Sequence, residues 1–211
     1  MASSPPSPSL LAPWRGGDDA TVTFRIPAGA QAAELTGYCP FVQPSLQASA
    51  LQYGSSSADA VWDTFRDLMI TTQQFQGFHD GLPQRARGLA CLVLSFERET
   101  PTAKLNQLFS CVRVLAAEQA ITMGLIPAGS AVKTGDRLRT SNTMPTIVVF
   151  RTALARDSKF RTSPRFQEAA EALKRAAPTE LLDADQWPSQ TDRTGWLTSL
   201  NKLTSALKGQ L

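Results

Sequence analysis

The densest chemistry in this chain lies between Arg151 and Arg165. Arg151, Arg156, Arg161 and Arg165 are joined there by Lys159 and opposed by a single acid, Asp157. Such a stretch suits phosphate, because the planar guanidinium fork holds two phosphate oxygens at once. Ser158, Thr162 and Ser163 could add neutral donors. Phe160 and Phe166 lie among the cations, where an exposed ring could stack on an unpaired base. A helix opening near Arg165 would turn free backbone N–H groups towards the same place. Lys133, Arg137 and Arg139 precede the stretch across a loop, so the candidate nucleic-acid-binding set is Lys133, Arg137, Arg139, Arg151, Arg156, Lys159, Arg161 and Arg165. A plainer reading makes these the solvated charges of a strand end and a helix start, with both phenylalanines in the core. A basic patch is a necessary footprint of nucleic-acid binding and not a sufficient one.

Other chemistry has less to build on. The single histidine, His79, is followed by Asp80, which could orient its imidazole, and Cys39, Cys91 or Cys111 could be imagined as a nucleophile. Nothing in the spacing joins them, and a turn histidine is the simpler reading. One histidine and three scattered cysteines make no zinc finger or ribbon. There is no P-loop and no GxGxxG. Asp63, Asp67, Glu97, Glu99 and Glu118 could supply paired carboxylates, although solvation on helix surfaces accounts for most of them. The sequence therefore predicts no catalytic residues, no metal and no cofactor, and a protein that is not an enzyme.

Charge is segregated along the chain. Residues 133–175 hold ten Lys/Arg against four Asp/Glu, whereas the segments before and after are both slightly acidic, so this stretch accounts for the net charge of +3. Charged residues make up 18% of the chain, below the roughly 25% of an average domain. A surface that is polar but weakly charged is cheaply desolvated, which favours contact with other protein surfaces. An odd cysteine count without a CxxC pair is not a disulfide framework, so Cys91 and Cys111 read as small core residues in a reducing compartment, the cytoplasm or a virion. No apolar run approaches the ~18 residues that span a bilayer, so no membrane partner is expected.

The elements that must position these residues follow from periodicity. Residues 1–19, with Pro5, Pro6, Pro8 and Pro13 among serines, read as a flexible arm. They could mimic a transit peptide, but the prolines oppose its helix. Residues 20–211 form one α+β domain. Val22, Phe24 and Ile26 alternate with polar residues, predicting a strand over 21–26. A short helix is expected over 44–53. A longer one over 57–75 starts at a capping box of Ser56 and Asp59, stops near Gly77, and buries Val61, Phe65, Leu68, Met69 and Thr72. Leu89 to Phe96 is apolar almost throughout, as in a strand covered on both sides. A helix then opens at Thr100-Pro101, buries Leu105, Leu108, Phe109, Val112, Leu115 and Ala116, and ends near Gly124. Residues 127–145 form a connection, 146–150 a second central strand, and Pro164 opens a helix to about Ala177. A last helix after Thr191 carries Trp196, Leu200, Leu203 and Leu207 on one face, and Trp187 either anchors a neighbouring subunit or packs on its own domain. The predicted fold is a small sheet of about three or more strands covered by four to five helices, with a disordered N-terminal arm.

A mobile arm, a weakly charged domain and an arginine-rich stretch together predict a protein that binds nucleic acid, RNA before DNA. They also predict self-assembly into a homo-oligomer, as a viral coat or nucleocapsid protein does. The alternative is an intracellular adaptor or regulatory protein whose basic patch meets an acidic protein partner.

Overall fold

The computed structural model describes residues 22–39, 41–58, 61–97, 102–134, 137–140 and 145–175. The expected arm over 1–19, Trp187 and the expected helix with Trp196 lie outside the described residues. In chain order the elements are β1 (Phe24–Arg25), α1 (Gly29–Tyr38), α2 (Val42–Gln47), β2 (Leu51–Ser56), α3 (Val61–Gly81), α4 (Gln84–Arg87) and β3 (Cys91–Phe96). They continue with α5 (Thr102–Glu118), β4 (Ile121–Ile126), β5 (Ala131–Thr134), β6 (Arg137–Thr140) and β7 (Ile147–Thr152). A 3-10 turn (Ala155–Asp157), α6 (Ser158–Arg161) and α7 (Pro164–Arg175) complete the described chain.

Five strands form one mixed sheet in the order β1-β2-β3-β7-β4, and β5 and β6 form a separate ribbon. β2 and β3 run parallel, with Leu51 opposite Cys91 and Ser56 opposite Phe96. β7 is antiparallel to both β3 and β4, so it enters between two strands that share a direction. That placement makes β7 a central strand, and the unbroken apolar run Ile147–Phe150 is what a strand covered on both faces requires. Alternation sorts the side chains. Leu92, Leu94, Phe96, Val148 and Phe150 pack with α3, α5 and α7, while Cys91, Val93, Ile147 and Val149 pack with Leu35 of α1 and Val42 of α2. The predicted small sheet covered by helices is therefore present as a three-layer arrangement, and the predicted stripe of α5 is buried throughout.

Several boundaries differ from expectation for identifiable reasons. The strand predicted over 21–26 pairs only at Phe24 and Arg25; Pro27 has no N–H with which to continue a ladder, and Ile26 is 70% exposed. α3 runs through Gly77 to Gly81, because Phe78 continues the packing begun by Phe75 past the glycine. Ser56 ends β2 instead of opening a capping box: its hydroxyl donates to the buried Asp67 carboxylate at 2.6 Å and accepts the Ala58 N–H at 3.1 Å. Asp67 is accordingly an interior anchor and not a solvated surface acid. The helix expected to reach Gly124 ends at Glu118. Ala120 then takes a left-handed conformation (φ 56°) that turns the chain into β4. The sequence reading foresaw neither α1, β2, α4 and β4 nor the β5–β6 ribbon, the 3-10 turn and α6.

Gly54 shows why β2 carries a glycine. A Cβ there would lie 2.9 Å from Val22 Cγ1 and 3.0 Å from the Phe24 ring, so β1 can lie this close only against a residue without a side chain. Gly54→Ala is expected to cost about 1–3 kcal/mol by overpacking, seen as a lower urea midpoint at an unchanged slope.

Candidate nucleic-acid interface

The segment after β7 is shaped by its only acid. The Leu154 N–H donates to Asp157 Oδ2 at 2.7 Å, and the Asp157 N–H donates back to the Leu154 carbonyl at 2.8 Å, closing a tight turn. Arg151 lays its fork on the same carboxylate, with Nη1 and Nη2 donating at 2.7 and 2.6 Å, and the Thr122 hydroxyl of β4 adds a third side-chain donor at 3.1 Å. Asp157 is 4% exposed. The Arg151 hydrogen bonds, against the opposing effect of burial and with help from Leu154 and Thr122, hold its carboxyl down at about 2. The structure thus places Arg151, one of the expected phosphate ligands, in an internal ion pair. Both ends of its fork are occupied, and its guanidinium lies 4.3 Å from the Phe41 ring centroid.

The remaining cations of the stretch are exposed. Arg156 stacks on Phe41 at 4.5 Å, a contact that leaves its hydrogen-bonding edge available. Lys159 and Arg165 have no ion pair among the described residues. Arg161 donates through Nη2 to the Ala117 carbonyl in the last turn of α5, where a cation complements the helix dipole, so part of its role is structural. Phe160, between Lys159 and Arg161, is 43% exposed.

Two expectations are revised here. The Thr162 and Ser163 hydroxyls donate to the carbonyls of Lys159 and Phe160, so they bring no spare donor for phosphate. At the start of α7 the N–H groups of Phe166 and Gln167 both reach the Ser163 carbonyl, so the expected set of free amides is reduced to that of Arg165. Lys133 lies on β5 and Arg137 and Arg139 on β6, in a ribbon with Lys133 opposite Leu138 and Arg139 opposite Val132.

Next to Phe160 and Arg165 a cleft of about 490 Å³ opens between α5, β4 and α7. Its walls include Phe109, Phe160 and Phe166, and three arginines border it: Arg113, Arg151 and Arg165. Arg113 escaped the sequence reading. Its guanidinium carbon lies 6.0, 5.7 and 5.9 Å from the centroids of Phe109, Phe160 and Phe166, and burial lowers its pKa. The one available signal was its isolation, a single cation between the core residues Val112 and Val114.

The residues considered for catalysis do not meet in this cleft. His79 Nδ1 lies 3.0 Å from Asp80 Oδ1, but both sit in the last turn of α3, not in a turn as expected, and neither borders the cleft. The three cysteines are free. Burial raises the Cys91 thiol and pushes that of Cys111 up to about 11, so both are poor nucleophiles at neutral pH. Among the described residues no helix is long and apolar enough to cross a membrane. No family model, curated protein or solved structure matches this chain.

Proposed function

We propose that this chain is an RNA-binding, self-assembling structural protein of the coat or nucleocapsid kind. One observation carries the reading. Arg156, Lys159 and Arg165 stand exposed without a carboxylate partner among the described residues, with the half-exposed Phe160 among them, while the segment's only acid is buried beneath Arg151. Unpaired cations on short, well-anchored turns suit a polyanion, whose binding draws its affinity largely from the release of condensed counterions. Contacts of this kind are made to phosphate and carry little sequence preference. Assembly is supported more generally by the exposed Ile26 at one sheet edge and by β4 at the other, which pairs only with β7 among the described residues.

The test is the state of the purified protein. Nucleic acid is expected to co-purify, raising the ratio of nucleic-acid to protein absorbance, in particles many times larger than one 22.8 kDa chain by light scattering. High salt is expected to strip the nucleic acid. A clean monomer at low salt would contradict the proposal.

A further inference from the structure

The cleft bordered by Arg113, Arg151 and Arg165 has features that phosphate neutralisation alone does not require. Its volume of about 490 Å³ falls in the roughly 300–1,000 Å³ range of small-ligand sites. No carboxylate borders it among the described residues. Arg113 is partly removed from water, lies over three phenyl rings, and has neither a carboxylate nor a hydrogen-bond acceptor among the described residues. Such a guanidinium has lost part of its hydration with no anion among the described residues in exchange, and a ligand phosphate would supply one. Arg165 borders the same opening, a second guanidinium on the cleft wall. The Phe160 and Phe166 rings line it too, and unpaired bases stack on such faces irrespective of sequence.

We infer that this cleft seats one unpaired nucleotide of the bound strand, with its base against the Phe160 and Phe166 rings and its phosphate on Arg113 and Arg165. The inference rests on the RNA-binding reading and deepens it: the exposed cations hold the backbone, and the cleft selects single strands over duplex. In a duplex the bases are stacked on one another and cannot enter.

The experiment compares a labelled single-stranded RNA of about 12 nucleotides, within the site sizes of single-strand binders, with the blunt duplex of the same sequence at one ionic strength. The single strand is expected to bind more tightly. Phe160→Ala, at an exposed position that leaves the core intact, is expected to weaken it roughly tenfold through lost stacking while duplex affinity stays unchanged. Phe160→Trp is expected to retain the preference. Arg113→Met, which keeps packing against the rings without the charge, is expected to reduce it. Should single strand and duplex bind alike and Phe160→Ala change neither, the cleft is not a nucleotide site, although RNA binding would stand. If neither form binds, the RNA-binding reading fails and this inference fails with it.

Discussion

Replacing Arg156, Lys159 and Arg165 together by Glu is expected to weaken RNA binding by roughly a thousandfold while the fold persists. A unit charge about 4 Å from a phosphate is worth about 1 kcal/mol in water, and reversal converts that attraction into a comparable repulsion. Three sites then amount to several kcal/mol, and screening trims the total at physiological salt. The fold should tolerate the change because all three side chains are exposed and none holds a carboxylate among the described residues. Among the described residues only the Arg156–Phe41 stack is lost, a contact worth about 0.5–1 kcal/mol at an exposed site. Arg161 is deliberately left in place. Its bond to the Ala117 carbonyl ties α6 to the end of α5, so reversing it would confound binding with stability. Filter binding read beside a thermal unfolding scan checks both halves of the expectation. A triple variant that keeps its affinity would remove the basis of the functional proposal.

Asp157→Ala is expected to be the most damaging single change in the same segment, at about 3–5 kcal/mol of stability, because it leaves the Arg151 charge half-buried and unpaired. It also removes the acceptor that holds the Leu154 N–H and the Thr122 hydroxyl. Replacing both partners of the pair by apolar residues of similar size, Arg151→Met with Asp157→Leu, should recover much of the loss, since no buried charge then lacks a partner. The pair also predicts acid sensitivity. The Asp157 carboxyl titrates at about 2 in the folded protein, against 3.8 for an unperturbed aspartate. The unfolded chain therefore takes up its proton first as pH falls. The pair's contribution, on the order of 2 kcal/mol, is fully present above about pH 5 and is lost as pH drops from there through 2. Asp157→Asn should flatten this part of the stability profile. Urea midpoints measured from pH 6 to the acid limit of the native state, for wild type and variant, provide the check.

How much of this could be read from residues alone differs from element to element. β3 and β7 were legible because a strand covered on both faces needs an unbroken apolar run, and few other structures do. α5 was legible because its stripe repeats over several turns. β4 was not: Ile121-Thr-Met-Gly-Leu-Ile126 is short enough to continue a helical pattern, and the residue that ends the helix is Ala120, whose left-handed backbone has no signature in its side chain. β2 was hidden because only two of its buried residues, Leu51 and Tyr53, are apolar, and the other two are buried by fit. Gly54 is buried by the close approach of β1, and Ser56 by its bond to Asp67. In the candidate site the cluster of cations was visible, but its division of labour was not. Asp157 lies six residues beyond Arg151, and only the tight turn between them brings the carboxylate onto the fork. Arg113 joins Phe160 and Phe166 from a helix some fifty residues earlier, a meeting that no local pattern announces.

The salt dependence of RNA affinity tests the central claim most directly. With three or four phosphates neutralised, the logarithm of the association constant for a single strand should fall linearly with the logarithm of salt concentration, with a slope of about −2 to −3. Each of Arg156→Ala, Lys159→Ala and Arg165→Ala should make that slope shallower by about 0.7. A slope near zero, or one the three substitutions leave unchanged, would show that these side chains do not carry the binding.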